Sequence, residues 1–348
     1  MTVDVGPPGV DVPRLREWLA RTLPDAGELQ GVQHISGGKS NLTYRVELSE
    51  GPVVLRRPPL GHVLPTAHDM GREYRVLAAL HHTSVPVPRP LTHCTDESVI
   101  GAPFYLMEWV DGTVIRNAED AAVLDEARAR RISERLAEVF AEIHGVDFAQ
   151  VGLAEHGRPN GYLERQLRRW SQQWERSETR PLPALHRLVE RLAERMPARQ
   201  DAALLHGDYR IDNALVRLDP VPDILAVVDW EMSTLGDPLA DLGLTLTYWA
   251  DAGDEERAAV PVAVGVTSRP GFLGSAEFAG RYAELSGRDL TGLDFYIAFG
   301  HFKLAVVMEG IHARYLQGKT VGEGFESEGE AVPLLIDRAH RILDKGGM

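Results

Sequence analysis

Thiols are nearly missing from this chain. One of its 348 residues is cysteine, Cys94, so no intramolecular disulfide can form and a zinc site built on several thiolates is excluded. That usage fits a reducing cytoplasm, the expected compartment. Marks of export and membrane insertion are missing too. The opening MTVDVGPPGVDVPRL has no basic start followed by an apolar run. The longest apolar stretch, Leu293–Leu316, is broken by His301, Lys303, Glu309, His312 and Arg314, and reads as a buried helix in which both histidines pack. Positive charge is short overall. A formal net charge of −14 argues against nonspecific nucleic-acid binding, which needs clustered cations. There is no G-x-S-x-G elbow for a serine hydrolase, no H-E-x-x-H metal motif and no G-x-x-x-x-G-K-[ST] loop.

What is present is ordinary for a folded protein: 44% hydrophobic and 25% charged residues, enough for one large or two moderate domains. The first third reads as strands and hairpins. HISGGKSNLTYRVEL places two β-type segments around Gly37-Gly38, and Val53–Arg56 is a strand stopped by Pro58-Pro59. Tyr74, Leu77, Ala78 and Leu80 give helical spacing between residues 68 and 81, and PFYLMEWV is a strand ended by Asp111-Gly112. Beyond that point the pattern is mostly helical. Ile132, Leu136, Val139, Phe140 and Ile143 share a face, and residues 164–195 are helical with a break at Pro181 and Pro183. A β-rich part, 1–110, and a helical part, 111–348, are the expected lobes.

The strongest chemical signal is His206-Gly207-Asp208, with Asn213 five residues after the aspartate and Asp229 following the strand-like ILAVV. Phosphoryl transfer from ATP needs a base that orients the acceptor hydroxyl and oxygen ligands for Mg²⁺. An Asp and an Asn on one loop, with a second Asp ending a nearby strand, can converge on one metal–phosphate centre. Taken singly each residue is commonplace, since an isolated Asp is usually a turn or cap residue. It is the ordered set that carries the reading.

LHGDYRIDNALV followed by VVDWEMSTLGDPLADL resembles the catalytic and metal-binding segments of the aminoglycoside/choline phosphotransferase family, and the likeness extends over about residues 28–320. It implies a two-lobe, protein-kinase-like α+β fold with a small antiparallel sheet in the N-lobe and a mainly helical C-lobe. It also implies Asp208 as catalytic base, Asn213 and Asp229 as Mg²⁺ ligands, and His206 as a support for the loop. Asp237 and Asp241 would organise the C-terminal lobe. Ser36-Gly37-Gly38-Lys39-Ser40-Asn41 resembles the family's nucleotide loop, where glycines let backbone N–H groups approach phosphates. Arg56 stands where kinase-like proteins commonly carry lysine. It would hold the α- and β-phosphates, with Glu73 as its helix-borne partner and Arg57 as the alternative register. PFYLMEWVDG resembles the segment joining the lobes, with backbone groups near Glu108 and Val110 facing the adenine edge.

The acceptor is less marked. Residues 164–199 carry nine arginines and five glutamates, with Trp170 and Trp174 on one helical face. Arginine suits anionic substrates, whereas cationic antibiotics call for acidic pockets; a solvated helix over buried tryptophans is the plain alternative. REYRVLAAL, LRRPP and FYIAFGHFKLAVVMEGIHARYLQG resemble the kinase-like proteins associated with acyl-CoA dehydrogenases. That branch implies a hydroxyacyl thioester as the hydroxyl substrate. Two other readings stay open: an aminoglycoside or amino-alcohol kinase, and an inactive nucleotide-binding module or pseudokinase, to which Arg56 lends weight. No membrane partner is expected.

Overall fold

The computed structural model describes residues 6–35, 41–61, 69–198, 200–258, 260, 265–318 and 328–346. The chain divides into two compact units. The first is Met1–Gly112 with Leu225–Glu231, and the second is Thr113–Ile224 with Met232–Met348.

The first unit opens with helix α1, Val12–Thr22, where strands and hairpins alone were expected. Its signals are local. Asp11 caps the Arg14 N–H at 3.1 Å, a proline lies in the first turn, and Val12, Leu15 and Leu19 bury one face. Strands β1 (Leu29–His34), β2 (Leu42–Leu48) and β3 (Gly51–Arg57) follow, then helix α2 (Met70–Leu80) and strands β4 (Pro90–Cys94) and β5 (Phe104–Glu108). All five strands pair antiparallel in the order β1-β2-β3-β5-β4. The edge strand β4 begins on a proline, which has no N–H to give to a ladder. β5 stops at Glu108, short of the expected Val110. Its partner Val53 is preceded by Pro52, which cannot donate the next bond.

Period-two alternation sorts this sheet. Tyr44, Val46, Leu55, Phe104 and Leu106 join Leu15 and Leu19 of α1 in one apolar cluster. Arg56 lies opposite Tyr105 in the β3–β5 register and so takes the other face from Leu55 and Arg57.

The second unit contains α3 (Glu126–Gly145), α4 (Tyr162–Ser177), α5 (Pro183–Glu194), the short strands β6 (Ala203–Leu205) and β7 (Ala214–Arg217), and the start of β8 (Asp223–Val227). After these come β9 (Thr234–Gly236), α6 (Pro238–Tyr248), the one-turn α7 (Glu255–Ala258), α8 (Ser275–Ser286), α9 (Leu293–Leu316) and α10 (Glu328–Lys345). β6 and β9 pair antiparallel, flanking the segment that carries His206, Gly207 and Asp208. α9 has the bounds expected from its apolar run and is buried on most sides, touching α4, α5, α6 and α10. At its crossing with α6 the backbones meet. A Cβ on Gly243 would lie 2.3 Å from the Tyr296 carbonyl oxygen, and one on Gly300 would lie 2.5 Å from Thr247 Oγ1. His301 is buried there, Nδ1 donating to the Ile297 carbonyl at 2.8 Å, and His312 packs on Gly329. Among the described residues no helix is long and apolar enough to cross a membrane.

Candidate active site

In the second unit, a tight turn after β6 presents His206-Gly207-Asp208. Gly207 has φ +85°, a region that favours glycine, and a Cβ there would lie 2.6 Å from the Met232 carbonyl oxygen. The turn is fixed through its backbone. Asp241, in the first turn of α6, accepts the His206 N–H at 2.7 Å and the Gly207 N–H at 2.9 Å. His144 of α3 approaches the same carboxylate through Nε2 at 3.3 Å, while its Nδ1 meets the Tyr282 hydroxyl at 2.8 Å. Burial alone would raise the Asp241 pKa; the hydrogen bond from His144 and the attraction of His144, His206 and Lys303 bring it below the ordinary carboxylate value. Burial likewise keeps the His144 imidazole neutral by lowering its pKa, against the pull of Asp241.

Asp208 leaves this turn with its side chain 30% exposed. Asn213, on the turn of 3₁₀ helix before β7, donates from Nδ2 to the Asp208 carbonyl at 2.9 Å and to Asp208 Oδ2 at 3.2 Å. With the amide nitrogen spent on Asp208, Oδ1 of Asn213 is left as a hard oxygen donor, the atom a magnesium ion requires. His206 is buried and accepts the Asp208 N–H on Nδ1 at 3.3 Å, a support rather than a substrate contact.

Three further side chains reach Asp208 without having been singled out from the sequence for it. Tyr248, at the end of α6, has its phenol pKa raised, first by burial and then by the nearby Asp208 charge. Arg210 comes to 3.9 Å, pairs with Asp212 and lies 4.8 Å over the Tyr248 ring. Lys303 of α9 donates to the Gly207 carbonyl at 3.0 Å. Arg210 stands two residues from Asp208 and was within reach of sequence reasoning. Tyr248 and Lys303 arrive through the fold alone.

The first unit gathers the other charged set. Arg56 Nη2 contacts Asp229 Oδ1 at 2.9 Å and Glu73 Oε1 at 3.3 Å. All of Arg56 but a trace is buried, and so is Glu73. Burial works against the Arg56 cation, but Glu73, Tyr105, Asp229 and Glu231 outweigh it and raise its pKa. Burial pushes the Glu73 carboxyl up, with Arg56 opposing. Arg57 is spent elsewhere: it donates to the carbonyls of Gly9, Pro58 and Ile100 on the α1 side of the sheet. Asp229 has φ +68°, the one such non-glycine among the described residues, a left-handed conformation that Asp tolerates better than most. Its second oxygen, Oδ2, has no protein donor among the described residues, and its side chain is 31% exposed. Asn41 donates to Glu231 at 2.8 Å, while Gly37, Gly38, Lys39 and Ser40 lie outside the described residues. Glu108 is engaged with Arg89, accepting its N–H at 2.9 Å. The Val110 N–H has no protein acceptor among the described residues.

No cluster of three or more His, Cys, Asp or Glu side chains forms a closed metal cage among the described residues. The Asn213 amide oxygen and the Asp229 carboxylate are each, taken singly, of the hard oxygen type that magnesium prefers.

A model of the phosphotransferase enzyme family matches residues 31–290. Acyl-CoA dehydrogenase family member 11 of Gallus gallus is 35% identical over 336 residues, which cover 93% of this chain and 42% of that protein. The chain spans less than half the length of the curated relatives it matches. A Ralstonia eutropha crystal structure with a provisional aminoglycoside-phosphotransferase name superposes at TM-score 0.83 with 31% identity, covering 97% of this chain and 99% of that one. A spectinomycin phosphotransferase solved with ADP and spectinomycin shares the fold at TM-score 0.60 and 13% identity, covering 95% and 98%.

Proposed function

The chain belongs to the phosphotransferase enzyme family, and from that premise we propose that it is an ATP- and Mg²⁺-dependent kinase that phosphorylates the hydroxyl of a small molecule, a hydroxyacyl-CoA. In this reading residues 1–110 form the nucleotide lobe and residues 111–348 the catalytic and acceptor lobe. The observation that carries it is the grip of Asp241 on two consecutive amides of the His206–Asp208 turn, which fixes the backbone from which Asp208 projects beside Asn213. Such pre-set placement is what phosphoryl transfer asks of a protein, since positioning and charge stabilisation supply most of the catalysis.

Asp208 accepts the proton of the acceptor hydroxyl as its oxygen attacks the γ-phosphorus. The bond from that phosphorus to the β,γ-bridging oxygen breaks, and ADP leaves. Asn213 Oδ1 and Asp229 would hold Mg²⁺, which when bound would neutralise phosphate charge. Arg56 and the segment Gly37, Gly38, Lys39, Ser40 and Asn41 position phosphates, Glu73 holds Arg56, and the backbone at Glu108 and Val110 meets the adenine. Support for the nucleotide comes from the spectinomycin enzyme solved with ADP, and support for the acyl-CoA comes from the name of the Gallus gallus relative.

The test is to incubate the purified chain with ATP, Mg²⁺ and a panel of hydroxyacyl-CoAs, kanamycin and choline, weighing the products. A hydroxyacyl-CoA carrying one added phosphoryl group is the expected product. Phosphorylated kanamycin or choline instead would favour the antibiotic or amino-alcohol reading. ATP binding without any phosphorylated product would favour an inactive nucleotide-binding module.

A further inference from the structure

Lys303 is a cation that the reading above leaves unused. It sits on α9 beside the Gly207–Asp208 peptide, and its ammonium donates to the Gly207 carbonyl at 3.0 Å. The same ammonium lies 5.6 Å from the centre of the Trp170 ring of α4. Asp208 and Asp241 attract it, and Arg169, next to that tryptophan, repels it. A lysine ammonium has three N–H donors. The Gly207 carbonyl is its one hydrogen-bond acceptor among the described residues, and the side chain is half-buried rather than sealed. Desolvation depresses its pKa. A half-buried ammonium with unspent donors gains from an oxygen that completes it. The surroundings supply one wall of indole; Arg169 adds positive charge beside Lys303, and Arg210 adds it beside Asp208.

We propose that Lys303 is a specificity-determining residue of the acceptor site, hydrogen-bonding a carbonyl or carboxylate oxygen of the acceptor whose hydroxyl Asp208 orients. The site then takes neutral or anionic hydroxy-carbonyl compounds and turns away polycationic aminoglycosides and amino alcohols, whose ammonium groups would meet a like charge. This rests on the kinase reading with Asp208 as base. Lys303 keeps its proton throughout: the hydroxyl proton goes to Asp208, and the phosphoryl group to the hydroxyl oxygen.

The experiment compares wild type, Lys303→Met and Lys303→Arg as the full chain. 3-Hydroxybutyryl-CoA and choline are the acceptor probes, and calorimetric binding of 3-hydroxybutyryl-CoA in the presence of AMP-PNP is the readout independent of turnover. Lys303→Met is expected to raise the KM and the Kd for 3-hydroxybutyryl-CoA about 10- to 100-fold, the loss of one charged hydrogen bond. KM for ATP should stay unchanged, and Lys303→Arg should recover most of the affinity. The preference for 3-hydroxybutyryl-CoA over choline should fall by the same factor. An unchanged Kd for 3-hydroxybutyryl-CoA in Lys303→Met overturns the proposal, as does a loss of kcat with both KM values unmoved. If the methionine variant does not fold, a Lys303→Arg protein with wild-type Tm but no 3-hydroxybutyryl-CoA binding also overturns it. Wild type that binds 3-hydroxybutyryl-CoA through Lys303 yet phosphorylates nothing keeps this inference and sinks the kinase reading.

Discussion

The two charged clusters are built on opposite plans. In the first unit Arg56, Glu73 and Asp229 satisfy one another directly, ion to ion, in a nearly dry place. In the second, Asp241 spends its charge on two backbone amides and a neutral histidine, and Asp208 is met by a carboxamide. A mutual set of ions can exchange partners when a phosphate or a metal arrives, since each charge has another charge to fall back on. A carboxylate bound to amides cannot let go without undoing the turn. The first arrangement is therefore adjustable and the second preformed.

The largest expected effect tests the preformed side. Asp208→Asn should lower kcat about 10²- to 10⁴-fold, the range for losing a general base, while ATP affinity by calorimetry stays near wild type. Equal turnover would show that the base lies elsewhere. The adjustable side should answer in stability and nucleotide binding together. Arg56→Met leaves two carboxylates facing each other, one of them buried, and should cost about 3–5 kcal/mol in urea unfolding and raise the KM for ATP. Arg56→Lys, which keeps the charge, should lose much less. If the two variants behave alike, the cluster acts through shape rather than charge.

A smaller effect separates buried imidazole from both clusters. His301 has its pKa lowered to about 3 by burial, against about 6.5 when unfolded. Between those values the unfolded chain holds a proton that the folded one does not. Stability from this residue is thus full above about pH 6.5 and lost as pH falls toward 3, by up to about 1.4 kcal/mol per pH unit. Denaturant midpoints at pH 7.5 and 5 should show that slope, and His301→Gln should flatten it. The smallest effect belongs to Glu108. Its exposed pair with Arg89 should be worth about 0–1 kcal/mol, and Glu108→Ala should leave the KM for ATP unmoved if backbone groups hold the adenine.

Legibility from sequence followed the range of the interactions. The HGD-to-Asn spacing and the α9 run are local patterns, and the kinase-like two-part architecture followed from them and from the order of segments. The choice between Arg56 and Arg57 is also local in principle, because alternation sends them to opposite faces, but which face holds Glu73 needed the sheet. α1 was overlooked although Asp11, the first-turn proline and Val12, Leu15 and Leu19 spell it out; the glycines and prolines before it hid the start. β5 was read two residues too long because Pro52, which ends its ladder, lies in another strand. Lys303 left no sign at all. Inside an apolar helix it looked like an interruption, and only the arrival of the Gly207 carbonyl from far along the chain gives it a partner.

The meeting of α6 and α9 at Gly243 and Gly300 bears on this peptide from both ends. α6 carries Asp241, which takes the Gly207 N–H, and α9 carries Lys303, which takes the Gly207 C=O. The two helices form the jaws of a vice closed on one residue, holding the successive peptide planes on either side of the Gly207 Cα, and the glycine crossing is its pivot. At Gly243 the neighbour is the Tyr296 backbone and at Gly300 the Thr247 hydroxyl with the Gly243 carbonyl behind it, so a wedge there has little to yield against. A single methyl group at Gly300 would press on Thr247 and the Gly243 carbonyl and so loosen the turn that carries Asp208 from a distance.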